Sequence, residues 1–155
     1  MSRRFRRTVA SHDERGVAAV EFALLLIPLL VIIWGMISYG IMFTYRQALS
    51  QAAGEGARAA VAAPSTSTWT AASAAVNNAL GSYSQACGTS SGTQSTSYLT
   101  CTVSAAATCA NDASHTCVTV TLTYPYRTNP LIPNIPGLGI IVPSTLTFVS
   151  TVEVS

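Results

Sequence analysis

Two residues five apart carry the clearest chemistry in this chain. Gly16 closes an arginine-rich head, and Glu21 is the only formally charged residue between positions 16 and 45. A carboxylate beside an apolar run is costly, about 2.5–3.5 kcal/mol at a bilayer centre and less near its edge. One explanation is that Glu21 reaches the headgroups. The other joins it to the glycine: hydrolysis after Gly16 would free the α-amino group of Val17. That cation could pair with Glu21 of the same or a neighbouring chain, cancelling two charges that are costly among packed helices. Such a pair would also fix the axial register between subunits.

The second reactive set is Cys87, Cys101, Cys109 and Cys117. An even number of cysteines outside the cytoplasm reads as two disulfides, with three pairings open. Cys101 shares a strand face with Leu99 and Val103, whereas Cys117 falls on a threonine face, which disfavours 101–117. The short loops favour 87–101 with 109–117. A zinc site of Cys101, Cys109, Cys117 and His115 lacks any Cys-x-x-Cys spacing. No metal site and no cofactor is therefore expected. His115 reads as a turn residue and His12 as part of the basic head. Beyond the apolar run the acids are Glu55, Asp112 and Glu153, and no Ser-His-Asp pattern or phosphate loop accompanies them. The expectation is a protein that is not an enzyme.

Positioning these groups falls first to a helix. Residues 22–45 hold 24 positions without a formal charge. About 20 apolar residues span a bilayer core. The run exceeds the core of a cleaved secretory signal, and no small-x-small site closely follows it. Five of the eight basic residues, Arg3, Arg4, Arg6, Arg7 and Arg15, precede it, against Arg46 close behind. That bias puts the N-terminus in the cytoplasm and the rest of the chain outside it. Only 9% of residues are charged, against about 25% in ordinary soluble domains. Nothing after residue 16 supplies the basic face a nucleic-acid binder needs. Tyr39, Tyr45 and Trp34 suit the outer membrane interface. Pro28 removes a helix hydrogen bond and is expected to kink the span.

Alanine, the best helix former, dominates positions 47–63, and Pro64 stops the pattern. One helix over 17–63 would measure roughly 70 Å at 1.5 Å per residue, well beyond a hydrocarbon core of about 30 Å. Ala48, Ala52, Gly56 and Ala60 form a stripe of small residues suited to close packing by another element. Arg46, Glu55 and Arg58 read as solvated, with Glu55 and Arg58 placed for a helix pair. Hydroxyls at 65–68 could cap a second helix from Thr68 to Leu80, with Trp69, Ala72, Val76 and Leu80 on one face. Residues 81–97 read as a loop. Strands are expected at 98–104, 118–124 and 146–154, with Ser150 breaking the last alternation. Residues 125–143 form a proline-rich loop, apolar at Leu131, Ile132, Ile135 and 138–142, which either closes over the sheet or offers a surface.

The run 15–30, Arg-Gly-Val-Ala-Ala-Val-Glu-Phe-Ala-Leu-Leu-Leu-Ile-Pro-Leu-Leu, resembles the TadE family, pilin-like proteins of tight-adherence (Flp) pilus systems. Gly-x-x-x-x-Glu before a long apolar helix is the type IV prepilin signature. The Gly-Ala-Arg at 56–58 and the β-like C-terminal segments are similar to the family as well. Val17 departs from the Phe that many type IV pilins carry there. The resemblance implies a membrane-embedded aspartyl prepilin peptidase that cuts after Gly16. It implies other pilin-like subunits, an inner-membrane assembly platform and the lipid bilayer as partners, and a role in surface adhesion and biofilm formation.

The expected organisation is a leader at 1–16, a transmembrane helix at 17–45, a helical extension at 46–63 and an extracytoplasmic domain at 64–155. The expected fold class is α+β: a long N-terminal helix, a short helix and a three- to four-stranded antiparallel sheet. A single-pass binding or sensor protein unrelated to pili is the alternative.

Overall fold

The computed structural model describes residues 13–88, 90–93, 98–110, 112–133 and 142–154, with backbone alone at 13–15 and 92–93. The expected leader residues 1–12, with Arg3, Arg4, Arg6, Arg7 and His12, and the apolar loop positions 135 and 138–141 lie outside them. The fold is mixed α+β. Helix α1 runs Asp13–Ala62 and contains Pro28 without ending there. Helix α2 is Thr68–Leu80, followed by a 3-10 turn at Gly81–Tyr83. The strands are β1 (Gly92–Thr93), β2 (Thr100–Val103), β3 (Ala107–Thr108), β4 (Thr116–Tyr124) and β5 (Leu146–Val154).

Contacts divide the chain into two compact units, one ending at Gly40 and the other spanning Ile41–Ser155. In the first, the apolar side chains of α1 have nothing over them. Leu25 is 71% exposed, Leu24 66% and Phe22 65%. Burying such a side chain is worth about 1.5–3 kcal/mol, so a run of them is not left facing water. This helix is long and apolar enough to cross a membrane.

The second unit packs two helices on one face of a sheet. All strand pairs are antiparallel, and β4 is the central strand. One edge of β4 carries β5 over its full length, from Thr116 opposite Val154 to Tyr124 opposite Leu146. The other edge carries β2 and then β3, with β1 beyond β2. Five strands therefore occupy four lanes. Between Val103 opposite Val120 and Ala107 opposite Cys117, the β2–β3 lane holds one residue more than β4, a bulge that splits the lane. Ser104 caps the break: its N–H donates to Thr119 O at 2.8 Å, and its Oγ accepts from Thr119 N–H at 2.9 Å.

Alternation along β4 decides what is buried. Val118, Val120, Leu122 and Tyr124 enter the core, while Thr119, Thr121 and Thr123 take the opposite face. Val76, Leu80, Leu99, Cys101 and Leu146 join the same core. From α1 come Met42, Tyr45, Leu49, Ala52, Ala53, Ala57 and Ala60, all buried. Their spacing of mostly three to four makes one helical stripe. The hydroxyls expected to cap α2 bond backwards instead. Ser67 Oγ and Thr68 Oγ1 donate to Pro64 O at 3.2 and 3.4 Å, and Ser67 makes no side-chain cap bond. The turn at 64–67 already brings those carbonyls within reach.

Candidate functional site

The head of α1 brings Gly16, Val17 and Glu21 onto a helix whose surroundings are open. A side chain at Gly16 would meet nothing within 4 Å. Val17 is 58% exposed and Glu21 is exposed. One helical turn separates Val17 from Glu21, so both lie on one face. Glu21 has no ionic partner among the described residues. An amine at Val17 would find a carboxylate with no competing cation among the described residues.

In the small-residue stripe, Ala52 and Ala60 are buried, with Ala48 partly buried against the core. Gly56 is the tightest point. A Cβ there would come within 2.8 Å of Val76 Cγ2 and 3.5 Å of both Ala72 O and Val120 Cγ1. Its missing side chain is what lets α1 approach α2 and β4 together. Arg58 and Glu55 form an exposed pair at 3.0 Å, and Arg46 is exposed.

Tyr45 sits in this core. It is fully buried, with ring centroids 5.0 Å from Tyr83 and 5.1 Å from Tyr124. The expectation that it lies at a membrane interface is therefore corrected. Leucines of the span and a domain core look alike in sequence, and no periodicity marks where one gives way to the other. Tyr124 Oη donates to Asn129 O at 2.9 Å, whereas the Tyr45 hydroxyl has no hydrogen-bond partner among the described residues. Burial raises the Tyr124 phenol above its ordinary range, helped by Tyr126 and Tyr98, and burial raises Tyr126 as well.

Cys87 is joined to Cys101, with Cα atoms 5.6 Å apart, and Cys109 to Cys117, at 5.0 Å. The first bond ties the segment after α2 to β2. Asn77 secures the same segment, donating to Cys87 O at 3.2 Å and accepting from Cys87 N at 2.6 Å. The second bond closes the turn between β3 and β4.

That turn gathers Asp112, Ser114 and His115, a set of types found in hydrolases, but the geometry is not that of a nucleophile and its base. Ser114 Oγ donates to Asp112 Oδ1 at 2.6 Å, and its N–H donates to the same oxygen at 2.9 Å. The hydroxyl bond foremost, then the backbone bond, hold the Asp112 carboxyl below its usual range. The two ring nitrogens of His115 face carboxylates: Nε2 lies 3.6 Å from Asp112, and Nδ1 contacts Glu153 of β5. Neither nitrogen is placed to take the serine proton. Sequence reasoning misses the link to Glu153. Its signal is the register, since Glu153 opposes Cys117, two residues beyond His115.

Among known proteins, residues 16–58 match the family model described as TadE-like protein. No curated protein and no solved structure matches the chain. The matched segment begins at Gly16, contains Glu21 and ends at Arg58, two residues past the glycine that seats α1 in the core. Over residues 16–58, which carry Gly16, Glu21 and Gly56, the chain is similar to TadE-like proteins.

Proposed function

We propose that the protein is a pilin-like subunit, a minor pilin or pseudopilin, serving assembly of tight-adherence (Flp) type IVb pili, and through them surface adhesion and biofilm formation. The observation that carries this reading is the TadE-like match on the helix bearing Gly16 and Glu21. A prepilin peptidase removes residues 1–16 and exposes the amine of Val17. The amine pairs with Glu21 within the chain or across to a neighbour and sets the axial register of packed helices. The precursor crosses the inner membrane once, its arginine-rich head cytoplasmic and its C-terminal domain outside. Its partners are the peptidase, other pilin-like subunits, the assembly platform and the lipid bilayer. The role is structural and needs no cofactor.

The deciding experiment is mass spectrometry of the membrane-extracted protein from cells with and without a competent prepilin peptidase. A mature N-terminus at Val17 that depends on the peptidase is expected. An intact head in its presence overturns the reading and returns the chain to the class of anchored binding or sensor proteins. Glu21→Ala is expected to leave cleavage intact and to impair pilus formation. Normal piliation by that variant would refute the pairing with Val17.

A further inference from the structure

Strand β5 leaves one edge unpaired, and its backbone orientation follows from bonds elsewhere in the sheet. Thr119 exchanges hydrogen bonds with Ser104, so its N–H and C=O face the β2–β3 lane. Alternate residues of an antiparallel strand face alternate sides. Residues 116, 118, 120, 122 and 124 of β4 therefore face β5, where they oppose 154, 152, 150, 148 and 146. Thr147, Val149, Thr151 and Glu153 must turn their N–H and C=O groups outward. All four are exposed, and no strand pairs with this edge among the described residues.

Sheet edges are ordinarily blunted by shortness, proline, basic side chains or bulges. β5 has nine residues, no proline, no basic residue and an unbroken register with β4. Its one charge, Glu153, is engaged by His115. At the middle of the open edge stands Val149, 61% exposed.

We propose that this edge pairs with the same edge of a second copy of the chain, antiparallel, about a two-fold axis at Val149. The sequence is self-complementary about that point. Val149 meets Val149 of the second copy, and Thr147 meets Thr151 of the second copy, in both directions. The sheet already joins threonines across strands: Thr119 to Thr151 at 3.0 Å and Thr123 to Thr147 at 3.4 Å. The new pairs extend those rows across the axis. The two Glu153 carboxylates end up eight residues apart along the strand, roughly 26 Å at about 3.3 Å per residue, beyond a physiological screening length of about 8 Å. A parallel, in-register pairing would instead stack them. The proposal is independent of the pilin reading, since it requires neither cleavage nor a filament.

The test uses the full chain in detergent micelles. The four native cysteines are all in disulfides, so an added one is the single free thiol. Residues facing each other in a hydrogen-bonded antiparallel pair have Cα atoms about 5.5 Å apart, within disulfide reach. Val149→Cys is expected to cross-link to dimer under mild oxidation at least tenfold more than Glu153→Cys, which faces residue 145 of the second copy. Adding Thr151→Pro to the Val149→Cys chain removes an outward N–H that the fold itself does not use. It should cut the cross-link at least tenfold while leaving the near-UV circular dichroism of the folded domain in place. Cross-linking by Val149→Cys no greater than by Glu153→Cys would overturn the proposal, as would a Val149→Cys cross-link that survives the proline in a folded chain.

Discussion

Helix α1 treats its apolar residues in opposite ways on the two sides of Gly40. Before it, Leu24, Leu25 and Phe22 are large and uncovered; after it, Leu49 is fully buried, and alanines at 52, 53, 57 and 60 lie against other elements. Hydrophobicity alone does not separate the two stretches. What separates them is a second element packed on the helix: it covers bulky Met42, Tyr45 and Leu49 as fully as the small residues, which let it come close. The sharpest instance is Gly56, where α1 has Val76 and Val120 against its backbone.

The largest effect that could break this contrast comes from a matched pair of substitutions. Leu49→Ala should cost the C-terminal domain about 2–5 kcal/mol of unfolding free energy. Leu25→Ala, on the uncovered stretch, should change it by less than about 0.5 kcal/mol. Urea titration in detergent, followed by near-UV circular dichroism, measures both. Equal effects would mean that the division at Gly40 is not energetic.

Next in size is Gly56→Val. The added branches meet Val76 and Val120 at a point already closer than a Cβ tolerates, so overpacking should cost about 1–3 kcal/mol. An unchanged midpoint would show that α1 can withdraw from α2 and β4 without loss. Smaller, and of opposite sign, is Tyr45→Phe. Removing a buried hydroxyl without a partner among the described residues should raise stability by about 1 kcal/mol. A fall would reveal a bond to that hydroxyl.

The smallest effect is alkaline. Tyr124 and Tyr126 have phenols raised by burial. A raised folded value means that the folded state keeps its protons longer. This contribution is fully present below the ordinary tyrosine value of about 10 and is lost as pH rises through the folded values. Ultraviolet titration of the wild type against Tyr124→Phe and Tyr126→Phe should show both phenols ionising above that ordinary value. Ionisation at or below it would mean that the core around them is open to water.

Much of this architecture is written in periodicity. The second helix, the central strand and β5 each carry a repeat of 3.6 or 2 long enough to recognise, and Ser150 breaks the alternation of β5 while still opposing Val120. β1 and β3 carry no such repeat. Each is two residues long, one in a Gly/Ser/Thr tract and the other in an alanine run, and each is a strand only through its pairing with β2 or β4. Tyr45 is illegible for a related reason. Its neighbours along the helix suit a bilayer as well as a core, and its ring partners come from distant positions. At the head of α1 the residues are legible one by one, because a lone glycine and a lone acid stand out against an apolar background.

That distance between partners has a consequence in time. Tyr45 is made long before Tyr83, and longer still before Tyr124, whose rings enclose it. At about 5–20 residues per second of synthesis, Tyr124 follows Tyr45 by on the order of 4–16 s. Throughout that interval the face of α1 bearing Met42, Tyr45 and Leu49 exists without the strand that will cover it. The nascent chain must therefore carry a sticky, half-made interface, and whatever shields it until β4 is made decides how much of the protein reaches its folded state.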